Sequence, residues 1–189
     1  MNKINFNSIR TKASKVKKIE IKADEIVRKK LIKNKEEFLT EFDNHLVTKE
    51  IEAGPGGNNI SNTLNGKGNL FSFIGFIKSE NPIEELRSFL DQNFSFKKSK
   101  LNNKLNYIIS YPNLEKIKQI TPMPWEGGNS WAISIERGIS GLSYYLANKF
   151  ADKSRSGTGL QAKNKINNLN YRPVGYLSEI IKNFKKKFK

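Results

Sequence analysis

Between Lys12 and Asn44 there is neither glycine nor proline, and Val16, Ile19, Ala23, Ile26, Val27, Leu31, Phe38 and Phe42 recur at spacings of three, four or seven. That spacing puts the apolar side chains along one stripe of a single amphipathic helix. At about 1.5 Å per residue such a helix is on the order of 45 Å long, more than the diameter of a small domain. Part of it must therefore project from the body or meet another chain.

The chain has 189 residues, enough for one domain with a core of its own. Hydrophobic content is only 37% and charged residues reach 28%, so segments lacking a core are expected at the ends. The expected division is a helix over 1–44, a body over 45–162 and a basic arm over 163–189. Within the body, Val47, Lys49 and Ile51 alternate with Thr48, Glu50 and Glu52, which reads as a short strand ended by "AGPGGNN". A loop over 53–69 follows. "NLFSFIGF" (69–76) is apolar on both faces and reads as a central strand. Pro82 opens a short helix carrying Ile83, Leu86, Phe89 and Leu90. "KLNYIISYP" (104–112) is a further strand, ended by its proline, and "NLEKIKQI" (113–120) is ambiguous. "SWAISIERG" (130–138) alternates with Trp131, Ile133 and Ile135 on one face, and reads as a strand pairing with 104–111. "ISGLSYYLANKFA" (139–151) reads as a short helix or as a continuation of the preceding segment, with Leu142, Tyr145, Leu146 and Phe150 inward. Near the end, Leu177, Ile180, Ile181, Phe184 and Phe188 form a helical stripe backed by lysines, which needs a surface to lie on.

The formal net charge is +16, unevenly spread. Residues 1–43 carry twelve Lys or Arg against seven acids, and residues 163–189 carry eight against one, which leaves only +4 for the 119 residues between. Basic ends around a balanced body suit an acidic partner or nucleic acid, and equally suit simple solubility. No stretch is apolar enough to cross a bilayer, and the basic N-terminus has no apolar run behind it. The expectation is a protein without membrane attachment, made and used in a cytoplasm-like compartment. The absence of cysteine excludes disulfides, thiolate zinc sites and cysteine nucleophiles.

The glycine loop fails as a phosphate cradle. "GPGGNNIS" lacks the Lys followed by Ser or Thr that would complete a ring of amides, ammonium and hydroxyl around phosphates, and "NGKGN" and "SGTGLQAK" lack the spacing. The loop reads instead as a contact surface with Ile60 and Leu64 as its apolar points, ordered by a neighbouring chain. His45, the single histidine, is expected at the end of the first helix, where positive charge is welcome. Glu50 and Glu52 share a strand face in this reading, either as a carboxylate pair or, more simply, as its wet side. No catalytic residue, cofactor or metal site is assigned. Lysines mixed with aromatics in "NFSFKK", "SYYLANKF" and "NFKKKFK" could stack bases along a single strand of nucleic acid, while core packing explains the same rings.

The order of these motifs, "HLVTKEIEAGPGGNNISNTLNGKGNLFSFIGF" after a long helix, then "NPIEELRSFL", "TPMPWEGGNSWAISIERGISGLSYYL" and "SRSGTGLQAK", resembles the tail-completion and neck proteins of long-tailed bacteriophages over His45 to Lys163. The resemblance implies an α+β protomer with a long N-terminal helix and short helices packed on an antiparallel sheet. It further implies no enzymatic activity, a homo-oligomeric ring in the head–tail connector, other neck and tail proteins as partners, and DNA within reach. The location it implies is the virion, assembled in the host cytoplasm. The lysine-rich segment after Lys163 lies outside it, and there Ile181, Phe184 and Phe188 are the expected contacts with an adjacent subunit or a tail protein.

Overall fold

A computed structural model describes residues 6–66, 68–101, 104–124, 126–138, 144–147, 159–162 and 173–188. The fold is α+β, dominated by helices. The expected long helix is present as α1, Phe6–Asn44, about 58 Å from end to end. Its C-terminal half enters the core, through Leu31, Phe38, Leu39 and Phe42.

The segments after α1 correct three strand expectations. Residues 46–52 form a helix, α2 (Leu46–Glu52), whose buried side holds Val47, Thr48, Glu50 and Ile51. "NLFSFIGF" forms α3 (Leu70–Ile74), with all five residues buried. A short helix enclosed on every side needs apolar residues all round, the same demand a sandwiched strand makes, so the pattern does not separate the two. The caps do separate them. Asn69 accepts from the Ser72 amide at 2.8 Å, and Gly75 turns left-handed at φ 89° to end the helix. "SWAISIERG" likewise forms a helix, numbered α6 below (Trp131–Glu136), with the Ser130 hydroxyl accepting from the Ile133 amide.

Between α3 and α6 lie α4 (Pro82–Gln92), capped by Asn81 as its proline suggests, the hairpin β1 (Ser95–Leu101) and β2 (Lys104–Ser110), and α5 (Leu114–Ile120), which settles the ambiguous segment as helix. The partner of 104–110 is therefore β1, in register Ser95↔Ser110 to Leu101↔Lys104, not residues 130–138. A small ribbon, β3 (Pro122–Met123) with β4 (Glu126–Ser130), leads into α6. Tyr144–Ala147 is strand β5 against β6 (Gly159–Ala162) rather than helix, and the rest of that expected helix lies outside the described residues. The last element is α7, Leu177–Lys186. Among the described residues the strands form three separate two-stranded antiparallel ribbons.

The core is accordingly a helical cluster. Phe42, Val47, Ile51, Leu70, Ile74, Leu86, Leu90, Ile117, Trp131, Ile135, Tyr176 and Phe184 are all enclosed. Trp131 meets Phe76 edge to face at 5.7 Å, which packs the start of α6 against the end of the 69–76 segment. Ile135 is also buried and Ile133 half-buried.

Candidate functional site

The loop over 53–69 is organised from within the chain. Its centre is Glu50, which is wholly buried on α2. One carboxylate oxygen accepts from the Asn59 side-chain amide and the Leu70 backbone N–H, each at 2.8 Å. The other accepts from the Ser61 backbone N–H at 2.9 Å and its hydroxyl at 2.6 Å. Backbone amides here do converge on an anion, but the anion is the protein's own carboxylate. Asn59 then collects the amides of Leu64 and Gly66 on its carbonyl, and the Asn69 side chain donates to the Pro55 and Gly57 carbonyls. Leu64, expected as a contact point, is buried within its own chain, and the loop is held by these internal bonds. Ile60 remains exposed. Glu52 is exposed while Glu50 is enclosed, so the two do not share a face as a carboxylate pair.

A second set of contacts closes the C-terminal segment onto α2. His45 stands at the end of α1 as expected, but as the N-cap of α2. Its Nδ1 accepts from the Val47 amide at 3.2 Å, which leaves Nε2–H to donate to the Gly175 carbonyl at 3.0 Å. That arrangement uses the neutral ring, and burial pushes its pKa down. Tyr176 packs beside it at 4.7 Å and exchanges a hydrogen bond with the Thr48 hydroxyl at 2.8 Å. Burial drives the Tyr176 hydroxyl pKa far up.

From there α7 runs along α1. Ile181 and Phe184 are buried, and the Phe184 ring meets Phe38, Phe94, Tyr111 and Phe188. Asn183 donates to Glu41 at 2.7 Å and Lys187 to Glu37 at 2.6 Å. Within its own chain the stripe lies on α1, with Ile181 and Phe184 buried there and Phe188 half-buried. A periodicity in 176–188 announces an amphipathic helix but not which chain it lies on.

What remains open is the N-terminal half of α1. The β1–β2 hairpin braces one face of it. Lys98 reaches Asp24 at 2.7 Å, the Tyr107 hydroxyl donates to the same carboxylate, and Arg28 lies 5.6 Å from the centre of the Phe96 ring. The bond from Lys98, then that from Tyr107, holds the Asp24 pKa down. Desolvation and the adjoining carboxylate push the Tyr107 pKa up to about 12. Val16, Ile19, Ile21 and Ile26 are nonetheless exposed, Ile19 to 67% and Ile26 to 58%. Val16, Ile19 and Ile26 belong to the helix stripe read from the sequence and Ile21 does not, and that reading names none of the four as a contact surface. The overlong spacing of the stripe was the available signal.

Among the described residues no group of three or more His, Asp or Glu is placed to hold a metal ion, and no helix is long and apolar enough to cross a membrane. No protein-family model, curated protein or solved structure matches the chain.

Proposed function

We propose that this chain is a structural protein of a tailed-phage virion that acts by assembly, joining or completing the head–tail connector as part of a ring. The observation that supports assembly is the projecting half of α1. Four branched aliphatic residues, Val16, Ile19, Ile21 and Ile26, stand at least half exposed on a helix that the body cannot cover. Exposed apolar surface of this kind marks a contact with another macromolecule. The station in the connector rests on the order of sequence motifs from His45 to Lys163 and on nothing in the geometry.

In this reading the protein works through contacts, without turnover, in the virion after assembly in the host cytoplasm. The alternative, a basic single-stranded DNA- or RNA-binding protein, loses part of its footing. Phe94, Phe96 and Phe184 pack against the core and are not free to stack on bases. The lysines on the outer side of α7 still leave DNA proximity open to the connector reading.

Two measurements test the proposal. Negative-stain imaging of concentrated protein should reveal closed rings, and particles made without the protein should separate into unjoined heads and tails. Monomers at every concentration, with binding to single-stranded nucleic acid that falls steeply as salt rises, would favour the alternative.

A further inference from the structure

We infer that the uncovered stripe of α1 docks on a second copy of this chain, in the acid-rimmed hollow beside Trp131, in a head-to-tail contact. The inference rests on the reading of the protein as a self-assembling one, and it names the two faces that meet.

The donor face is defined by its continuity with a contact already in place. Along α1, Ile19, Ile26, Lys30, Glu37 and Glu41 follow at spacings of seven, four, seven and four, and so share one face. The C-terminal part of that face is covered by α7, through Asn183 on Glu41 and Lys187 on Glu37. Cover ends where Lys30 stands 5.2 Å from the centre of the Phe188 ring. Beyond that point Ile26 and Ile19 continue the same face and stand exposed. Lys22 and Lys29 flank them at helical spacing and, among the described residues, make no ion pair. This basic rim argues against the stripe pairing with its own copy, because lysines would face lysines.

The acceptor face has the opposite character. A hollow of about 180 Å³ is lined by Phe76, Pro82, Ile120, Pro122, Pro124 and Trp131, with Glu80 and Glu85 on its rim. The adjoining outer face of α4 adds Glu84. Neither Glu84 nor Glu85 pairs with a cation among the described residues, in a chain whose net charge is +16. An apolar floor inside an acidic rim fits an isoleucine flanked by lysines, an aliphatic anchor in a pocket with complementary charge around it. Because the two faces differ, the contact is heterologous, and copies joined this way close into a ring or grow into a filament.

The test uses the full chain and two exposed positions. Ile26→Asp disables the donor face and leaves the hollow, whereas Glu85→Lys disables the hollow and leaves the donor. Each variant alone should lose assembly by light scattering, with self-association weakened about tenfold or more. Mixed in equal amounts, they should form a dimer of one copy of each and grow no further, since one working contact remains. Near-ultraviolet spectra matching wild type establish that both variants are folded. If both variants assemble like wild type, the docking is wrong while assembly itself stands. If Ile26→Asp dissociates but Glu85→Lys does not, the stripe has another acceptor, and the inference fails on that result. A wild-type chain that stays monomeric at every concentration overturns both this inference and the assembly reading.

Discussion

Replacing Glu50 by glutamine changes one oxygen to an amide and leaves the volume of the side chain almost untouched, so any effect must come through hydrogen bonding. Four donors point at the carboxylate: the Asn59 amide, the Leu70 N–H, the Ser61 N–H and the Ser61 hydroxyl. A glutamine keeps one accepting oxygen. It fits best with that oxygen toward Asn59 and Leu70 and its NH₂ toward Ser61, whose hydroxyl can turn and accept. The Ser61 N–H then faces another donor. Losing one hydrogen bond to a charged group costs about 1.5 to 3 kcal/mol, so Glu50→Gln should destabilise by about 2 kcal/mol. Glu50→Ala strands all four donors and should cost about 4 kcal/mol. For a chain of this size, 2 kcal/mol lowers the melting temperature by roughly 4 to 8 °C. Urea unfolding gives the free energies, and hydrogen exchange of 59–70 locates the effect. The glutamine variant should exchange faster in those amides than in α4. A glutamine variant with the wild-type midpoint and unchanged loop protection would refute the role given to the carboxylate.

Three further outcomes are expected. Phe184→Ala removes a ring that is 2% exposed and touches four others, so it should cost about 3 to 5 kcal/mol in urea unfolding, whereas Lys182→Gln with Lys186→Gln should stay within about 0.5 kcal/mol; equal effects would mean α7 is not held by its stripe. Gly75→Ala places a Cβ at φ 89° and should cost about 1 kcal/mol or more, read as a shift in the same midpoint, and no shift would deny the left-handed cap. His45 is held below its ordinary value of 6.5 mainly by burial, so the unfolded chain takes up the proton first. Its contribution is complete above that value and is lost as pH falls through it, with Glu41, Glu136 and Glu179 limiting the loss by attracting the charged ring. Stability measured from about pH 7.5 to pH 5 should therefore fall more for wild type than for His45→Asn, which can still cap α2, and parallel curves would show that the ring does not titrate as argued.

The elements that were legible in the sequence are those where period and length agreed. Residues 12–44 and 177–188 are too long and too regular for anything but helix, and Asn81-Pro82 marks a helix start by its chemistry alone. The three segments misread as strands are short. Apolar runs of five to eight residues satisfy a buried strand and an enclosed helix alike, and the β-branched and aromatic content of 69–76 and 130–138 tilts the reading toward strand. Their ends held the deciding information. Asn69 with Gly75, and Ser130 with Gly138 at φ 72°, bracket each segment with a capping side chain before and a left-handed glycine after.

The identity of the element then decides the identity of the site. On a strand, Glu50 points away from Val47 and Ile51 into water, beside Glu52. On a helix, positions 47, 50 and 51 fall on one face, so Glu50 enters the core with the two aliphatic residues and must find donors there. The glycine- and asparagine-rich loop supplies them. Its composition was legible as flexible chain, yet that flexibility is what lets Asn59, Ser61 and the Leu70 amide wrap a single buried carboxylate. The loop is thereby held from within the chain. In the assembly proposed above, the contact falls instead on Ile19 and Ile26, exposed on the part of the longest helix that lies beyond its buried residues.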